Sequence, residues 1–127
     1  AGIDWQPNVE RIEHLAPAEH AAFYNAQLFT LNVTRAAMRR MGWSPSVRLF
    51  EAASCGTPVI SDDWPGLTEL LPEGEAIVIA RSGEDVVRVL SDRPLARARA
   101  VGAAARRRVL AAHTGRARAR ELVAALA

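Results

Sequence analysis

Three polar side chains in the middle of the chain, Ser44, Arg48 and Glu51, are spaced so that they could act together. Ser44 and Arg48 lie seven and three residues before Glu51, which places all three on one face of a helix. The N-terminus of a helix offers free N–H groups and a positive dipole, and therefore attracts anions. A phosphate there, with a diol about one to two turns further on, describes a nucleotide bound along the helix. Glu51 would then accept hydrogen bonds from two ribose hydroxyls.

Glu51 also has an ordinary structural interpretation. It lies between two apolar pairs, at residues 49–50 and 52–53, where an unpaired charge is expensive. A salt bridge to Arg48, one turn back, would satisfy the carboxylate and would stabilise the helix only slightly if exposed. The nucleotide interpretation requires instead that the carboxylate point into the cleft at the carboxyl ends of the predicted strands, and not into solvent or the core.

A helix followed by a strand must position these side chains. Ser44 is a good N-cap, and Pro45 suits the first helical position because its missing N–H costs nothing there. Gly56 is a natural residue for the left-handed position that ends a helix. The β-branched apolar run that follows predicts a buried strand over residues 58–61.

Strands and helices alternate along the rest of the chain. Short apolar runs predict further strands over residues 9–14, 28–33 and 76–80. Helices are predicted to begin at Pro17, Thr34, Ser82, Pro94 and Thr114, with one further helical turn over residues 67–71. Asp85 stands at the capping-box position of the helix that begins at Ser82. This alternation is typical of an α/β domain, with a Rossmann-like parallel sheet and helices on both faces.

In such a sheet, ligands bind beyond the carboxyl ends of the strands. Residues 32–34 and 61–63 follow two predicted strands, so both are expected beside the helix terminus at Ser44. The predicted binding site consists of Asn32, Thr34, Asp63, Ser44, Ser46, Val47, Arg48 and Glu51. No metal is expected, because the adjacent acids at 62–63 point in different directions and the His residues lack zinc spacing. No cofactor is expected either.

Residues 50–60 read Phe-Glu-Ala-Ala-Ser-Cys-Gly-Thr-Pro-Val-Ile. They resemble part of the nucleotide-sugar motif of group 1 glycosyltransferases with the GT-B fold, Glu-x7-Glu followed by Glu-Ala-x-Ala-x-Gly-x-Pro-Val. Residues 31–35 and 44–51 are more similar still to the bacterial spore-maturation (CgeB-like) branch. The resemblance implies that Glu51 binds the ribose diol, and it places the family's first Glu, which touches the sugar, at Trp43.

The resemblance implies that the chain is the donor half of a glycosyltransferase, the C-terminal part of a GT-B enzyme. Such a domain binds a nucleotide-diphosphate sugar, and the enzyme transfers the sugar to an acceptor that is unknown. Catalysis would come from positioning and from stabilising the leaving diphosphate at residues 44–47, with Arg48 adding charge. Residues 1–127 are expected to form one domain that lacks its N-terminal acceptor domain and is inactive alone. Apolar surface left near residues 1–15 predicts a homodimer.

Two other functions are compatible with the sequence. One is a non-catalytic Rossmann-like module that binds a nucleotide, or that binds a protein through its Arg-rich helices. The other is a sugar-nucleotide epimerase of the same fold. Binding of UDP or GDP is the property that best separates the glycosyltransferase from a module that binds only protein.

The composition is that of a globular protein, since 50% of the 127 residues are hydrophobic and 24% are charged. The apolar stretches are too short to span a bilayer, and the N-terminus lacks the pattern of a signal peptide. The single cysteine, Cys55, excludes an internal disulfide and fits a reducing compartment. A cytoplasmic location is therefore expected.

Charge is unevenly distributed, because residues 93–127 contain nine Arg and a single acid, Glu121. A basic surface of this kind could contact nucleic acid or anionic lipid. No aromatic residue is interleaved among these Arg to stack on bases. A solvated face is therefore favoured, and no nucleic-acid partner is expected.

Overall fold

The fold is described by a computed structural model over residues 4–92 and 95–127. At its centre the described residues form a parallel sheet of three strands in the order β1–β2–β3, which are Thr30–Asn32 (β1), Val59–Ser61 (β2) and Val78–Ile79 (β3). The strands are in register at their carboxyl ends, where Ser61 pairs with Asn32 on one side and Ile79 on the other. The predicted α/β class and parallel sheet are confirmed.

Helices flank the sheet, and a short 3-10 helix, Pro17–Glu19, leads into the first of them. Their bounds are His20–Asn25 (α1), Ala36–Met41 (α2), Val47–Cys55 (α3), Leu67–Leu70 (α4), Gly83–Ser91 (α5), Leu95–Ala112 (α6) and Gly115–Leu126 (α7). The helix expected from Thr34 thus begins at Ala36, and Pro94, the predicted start of α6, lies outside the described residues. Within the described ranges, no helix has the length and apolarity needed to cross a membrane.

Helix α3 begins later than the sequence predicts. Its N-cap is Ser46, whose hydroxyl accepts from the Arg48 N–H at 3.4 Å, so the expectation that Ser44 caps the helix is wrong. Serines flank Pro45 on both sides, and it is the second whose hydroxyl accepts from the first turn. The other end follows the prediction, since Gly56 ends the helix in the left-handed region with φ of 80°.

Residues 9–14, all of which the structure describes, form no strand, so the prediction of a fourth strand is wrong. Val9 and Ile12 lie three residues apart, which does not match the two-residue period of a strand. Both side chains are about half exposed, at 42% and 50%. Nearby, Arg11 pairs with Glu13 on the surface at 2.7 Å. A strand also needs an apolar face to bury, and this segment does not supply one.

The core lies between α3, the sheet and α6, where small residues let the two helices approach closely. Leu49 and Ala53 of α3 are fully buried in it. Gly102 of α6 lies directly against the backbone of Gly56, because a Cβ added at Gly102 would be only 2.0 Å from the Gly56 carbonyl oxygen. This contact sets how close α6 lies to the C-terminal end of α3.

Two arginines of the basic C-terminal part are held by the fold. Arg106 Nε donates to the Ser54 carbonyl at 3.0 Å. Arg108 donates to the carbonyls of Leu70 and Glu69, at 2.6 and 2.9 Å. These carbonyls belong to the last turns of α3 and α4, where backbone acceptors lack helical partners and the helix dipole attracts cations. Part of the arginine excess is therefore structural.

Ser82 and Asp85 form the predicted capping box at the start of α5. The Ser82 hydroxyl accepts from the Asp85 N–H at 3.2 Å. In return, the Asp85 carboxylate accepts from the backbone N–H groups of Arg81 and Ser82, at 2.9 and 3.1 Å. The hydrogen bond from Arg81 is the main cause that lowers the pKa of Asp85, because it favours the ionised carboxylate.

We expect Asp85→Asn to lower the melting temperature at neutral pH and to have little effect in acid. A carboxyl group whose pKa is lowered by folding stabilises the folded state while it is ionised. Its contribution is therefore present above the ordinary pKa of 3.8 and is lost as the pH falls through the lower folded value. Thermal unfolding of both forms between about pH 7 and about pH 2 measures this. A difference in melting temperature that stays constant across that range would contradict the expected role.

Candidate functional site

A groove of about 350 Å³ runs beside the first turns of α3. One wall is α3 with its N-cap, which contribute Ser46, Val47, Arg48 and Glu51, and the other is α1 together with residues 12–15. Four of the predicted site residues therefore line one groove. This groove lies between α3 and α1 and not at the carboxyl ends of the strands, and Asn32, Thr34 and Ser44 do not line it. Ser46 and Val47 belong to the N-terminal end of α3, where the helix dipole is positive, so this end of the helix lines the groove.

The Glu51 carboxylate lies in the wall that α3 shares with α1. Its Oε1 is 3.3 Å from His20 Nδ1, and its Oε2 accepts from the Tyr24 hydroxyl at 3.2 Å. The side chain is 33% exposed, so it is neither free in solvent nor part of the core. Its partners are His20 and Tyr24, and not the neighbouring Arg48 that a simple helix salt bridge would require.

Tyr24 is buried, and burial raises the pKa of its hydroxyl, with the negative charge of Glu51 adding to the effect. The hydroxyl therefore stays protonated and acts as a donor. The other ring nitrogen of His20, Nε2, lies 3.2 Å from the carbonyl oxygen of Leu15. The polar groups of α1 thus connect Glu51 to the loop that precedes the helix.

Arg48 reaches from α3 towards the carboxyl end of β1. Its guanidinium is 3.5 Å from Asn32 Oδ1. Asn32 is buried and donates through Nδ2 to the hydroxyls of Ser61 and Thr34, at 3.0 and 3.3 Å. The residues that end two neighbouring strands therefore lie beside the first turn of α3, which is the juxtaposition that the topology predicts.

The two adjacent acids after β2 have different surroundings. Asp62 Oδ1 accepts from both the N–H and the hydroxyl of Thr34, at 3.1 and 2.7 Å, and so ties the ends of β1 and β2 together. Asp63 instead pairs with Arg81 at 3.1 Å, and Arg81 also pairs with Glu73. Asp63 was predicted to bind the ligand, but it does not line the groove beside α3. Among the described residues, no group of His, Cys, Asp and Glu side chains could hold a metal ion.

Trp43 lies in the loop that leads into α3, together with the half-buried Ser44. Its backbone is in the left-handed region with φ of 51°, which is unusual for a bulky residue, and its N–H donates to the Pro65 carbonyl at 2.8 Å. The indole packs on Gly66, where an added Cβ would lie 2.6 Å from the ring, yet Trp43 remains 60% exposed. A fixed aromatic surface therefore stands next to the N-terminal end of α3.

His20 and Tyr24 were not predicted as site residues. They lie four residues apart on α1, and 31 and 27 residues before Glu51. Their spacing is a usable signal, because it places two hydrogen-bonding side chains on one face of a short helix. The sequence does not specify, however, that this face packs against the Glu51 side of α3.

Comparison with curated proteins and with solved structures gave no significant match. One family model, described as glycosyl transferase-like, matches residues 1–124, which is nearly the whole chain. The three-stranded parallel sheet flanked by helices is consistent with the Rossmann-like architecture expected of such a domain. The chain therefore belongs to the glycosyl transferase-like family.

Proposed function

We propose that this chain is the donor-binding domain of a glycosyltransferase, which binds a nucleotide-diphosphate sugar in the groove beside α3. The observation that most supports this is the position of Glu51. Its carboxylate lies in the groove wall four residues after Val47, the first residue of α3, which is about 6 Å along the helix axis. That separation suits a nucleotide whose phosphate meets the helix terminus and whose ribose hydroxyls meet Glu51.

The charges around the groove agree with the proposed ligand. The N-terminal end of α3 and the exposed guanidinium of Arg48 are both positive. A nucleoside diphosphate gains negative charge as the bond to the sugar breaks, so both groups stabilise the leaving diphosphate more than the bound donor. The remaining contribution of this domain is to hold the donor in a fixed orientation towards an acceptor, which is unidentified.

The proposal includes a GT-B arrangement of the spore-maturation (CgeB-like) type, in which a second domain faces the groove and supplies the acceptor site. Apolar side chains beside the groove are exposed, which supports a second domain that covers them. Trp43 is 60% exposed, Val47 is 67% exposed and Ile12 is 50% exposed. Trp5 and Val9, near the same segment, are also about half exposed. A second copy of the chain could cover this surface in the absence of that domain, so a homodimer stays a prediction.

Calorimetric titration with UDP and with GDP tests the proposed function. We expect one of them to bind with one site per chain, and the corresponding nucleoside without phosphates to bind far more weakly, because it cannot use the positive end of α3. If neither diphosphate gives a heat signal at millimolar concentration, that result contradicts a donor site. Equal affinity for the diphosphate and the nucleoside would contradict the placement of the phosphates at α3.

A further inference from the structure

We propose that His20 and Tyr24 are positioning residues, which hold the Glu51 carboxylate so that the groove selects a ligand with two adjacent hydroxyls over one that lacks a hydroxyl. This inference rests on the proposed function of the groove. It adds a specific basis for distinguishing ribonucleotides from deoxyribonucleotides. The residues that provide it lie on α1, outside the helix that carries the carboxylate.

The geometry assigns one donor to each oxygen of Glu51. His20 Nδ1 lies 3.3 Å from Oε1, and the Tyr24 hydroxyl lies 3.2 Å from Oε2. An ionised carboxylate has about four lone-pair positions, two on each oxygen. Both oxygens therefore keep a free position, and two neighbouring hydroxyl groups of a ligand in the groove can each donate to one of them.

Both donors are themselves fixed. Tyr24 is 6% exposed, and its backbone carbonyl accepts from the buried Thr57 hydroxyl at 2.7 Å, which ties the end of α1 to the second residue after α3. The His20 and Tyr24 rings meet edge to face, with centroids 6.2 Å apart and planes at 82°. The carboxylate is therefore held by side chains that are anchored elsewhere in the fold.

His20 is held from two sides. Its Nδ1 faces Glu51 and its Nε2 faces the Leu15 carbonyl oxygen at 3.2 Å. Both neighbours are hydrogen-bond acceptors, and the tautomer of the ring decides which nitrogen donates. The ring links residues 12–15, which line the same groove, to the carboxylate.

Fixing the carboxylate before the ligand arrives has a thermodynamic consequence. A Glu side chain that is already ordered loses less rotamer freedom on binding, so more of the hydrogen-bond free energy appears as affinity. A ligand that lacks one hydroxyl leaves one lone-pair position of the Glu51 carboxylate unused. Such a ligand gains less affinity from the ordered Glu51 side chain. The ratio of affinities for a ribonucleoside diphosphate and its 2′-deoxy counterpart therefore measures the positioning directly. A general loss of folded protein lowers both affinities equally and leaves the ratio unchanged.

The test compares Tyr24→Phe, His20→Gln and His20→Asn with the unchanged chain, using UDP, GDP and their 2′-deoxy forms as ligands. Tyr24→Phe removes one donor to Glu51 and keeps the ring. The Asn amide nitrogen takes about the place of Nδ1 and can still donate to Glu51, whereas the Gln amide takes about the place of Nε2. We expect Tyr24→Phe and His20→Gln to lower the affinity ratio by about three- to ten-fold. His20→Asn should recover most of the ratio lost in His20→Gln.

An unchanged ratio in Tyr24→Phe and in both His20 variants overturns the inference, even if their melting temperatures fall. If Tyr24→Phe does not fold, the two His20 variants are compared with each other. Equal ribo-to-deoxy affinity ratios in His20→Gln and His20→Asn then overturn the inference. Failure of the proposed function is recognised separately. In that case the unchanged chain itself binds no diphosphate or makes no distinction between the ribo and deoxy ligands, and the positioning role falls with it.

Discussion

Glu51→Gln is expected to weaken binding of a nucleoside diphosphate by about ten-fold or more. The substitution keeps the shape of the side chain and removes its charge, so a charge-assisted contact with the ribose hydroxyls becomes a neutral one. Losing such a contact costs roughly 1.5–3 kcal/mol. Because about 1.4 kcal/mol corresponds to a ten-fold change in affinity, the effect is well within the range of calorimetry.

The same variant should change the free energy of unfolding much less. Gln keeps one acceptor oxygen, so it can retain either the contact with His20 or the contact with Tyr24, and the expected loss is about 1 kcal/mol. Glu121→Gln on α7 is the matched control, because it removes the same charge far along the chain from the groove and should leave the affinity unchanged. If Glu51→Gln instead destabilises the fold strongly and binds nucleotide normally, the carboxylate is a structural group.

Gly102→Ala should destabilise the protein by about 1–3 kcal/mol or more, which lowers the melting temperature by several degrees. The new methyl group would lie 2.0 Å from the carbonyl oxygen of Gly56, and that oxygen belongs to the backbone and cannot rotate away. Helix α6 must therefore move away from α3, which loosens the contact at the C-terminal end of α3. Helix propensity alone predicts that Gly102→Ala stabilises the protein, since Ala is favoured over Gly in a helix interior by about 1 kcal/mol.

Gly115→Ala provides the control for Gly102→Ala. Gly115 is the first residue of α7, and a Cβ added there meets no atom within 4 Å. This change should be neutral or slightly stabilising. Thermal unfolding of the two variants beside the unchanged chain gives the comparison. A Gly102→Ala protein as stable as the Gly115→Ala protein would contradict the close packing of α6 on α3.

The features that the sequence predicts correctly are those that depend on neighbouring residues. Gly56 ends α3 because the left-handed conformation suits glycine, and Ser82 with Asp85 caps α5 because the partners are three residues apart. The parallel sheet follows from the alternation of strands and helices. Ser44 and Ser46 are equally suitable as N-caps by residue type, so the sequence alone does not decide which of them begins α3.

The features that the sequence does not predict depend on contacts between distant segments. Residues 9–14 have the composition of a short strand, but a strand forms only with a neighbour and a face to bury. The partners of Glu51 come from α1, so they are known only when the packing of α1 on α3 is known. The partner of Asp63 is likewise a distant residue, Arg81, which lies two residues after β3.

The most direct test is a crystal structure of the chain with a bound nucleoside diphosphate, UDP or GDP. The expected result places the diphosphate at the first-turn amides of α3 and both ribose hydroxyls within about 2.5–3.0 Å of the Glu51 carboxylate oxygens. His20 and Tyr24 should keep their contacts with the same oxygens in that complex. A nucleotide bound elsewhere on the chain, or bound at α3 with its ribose turned away from Glu51, would contradict the proposed site.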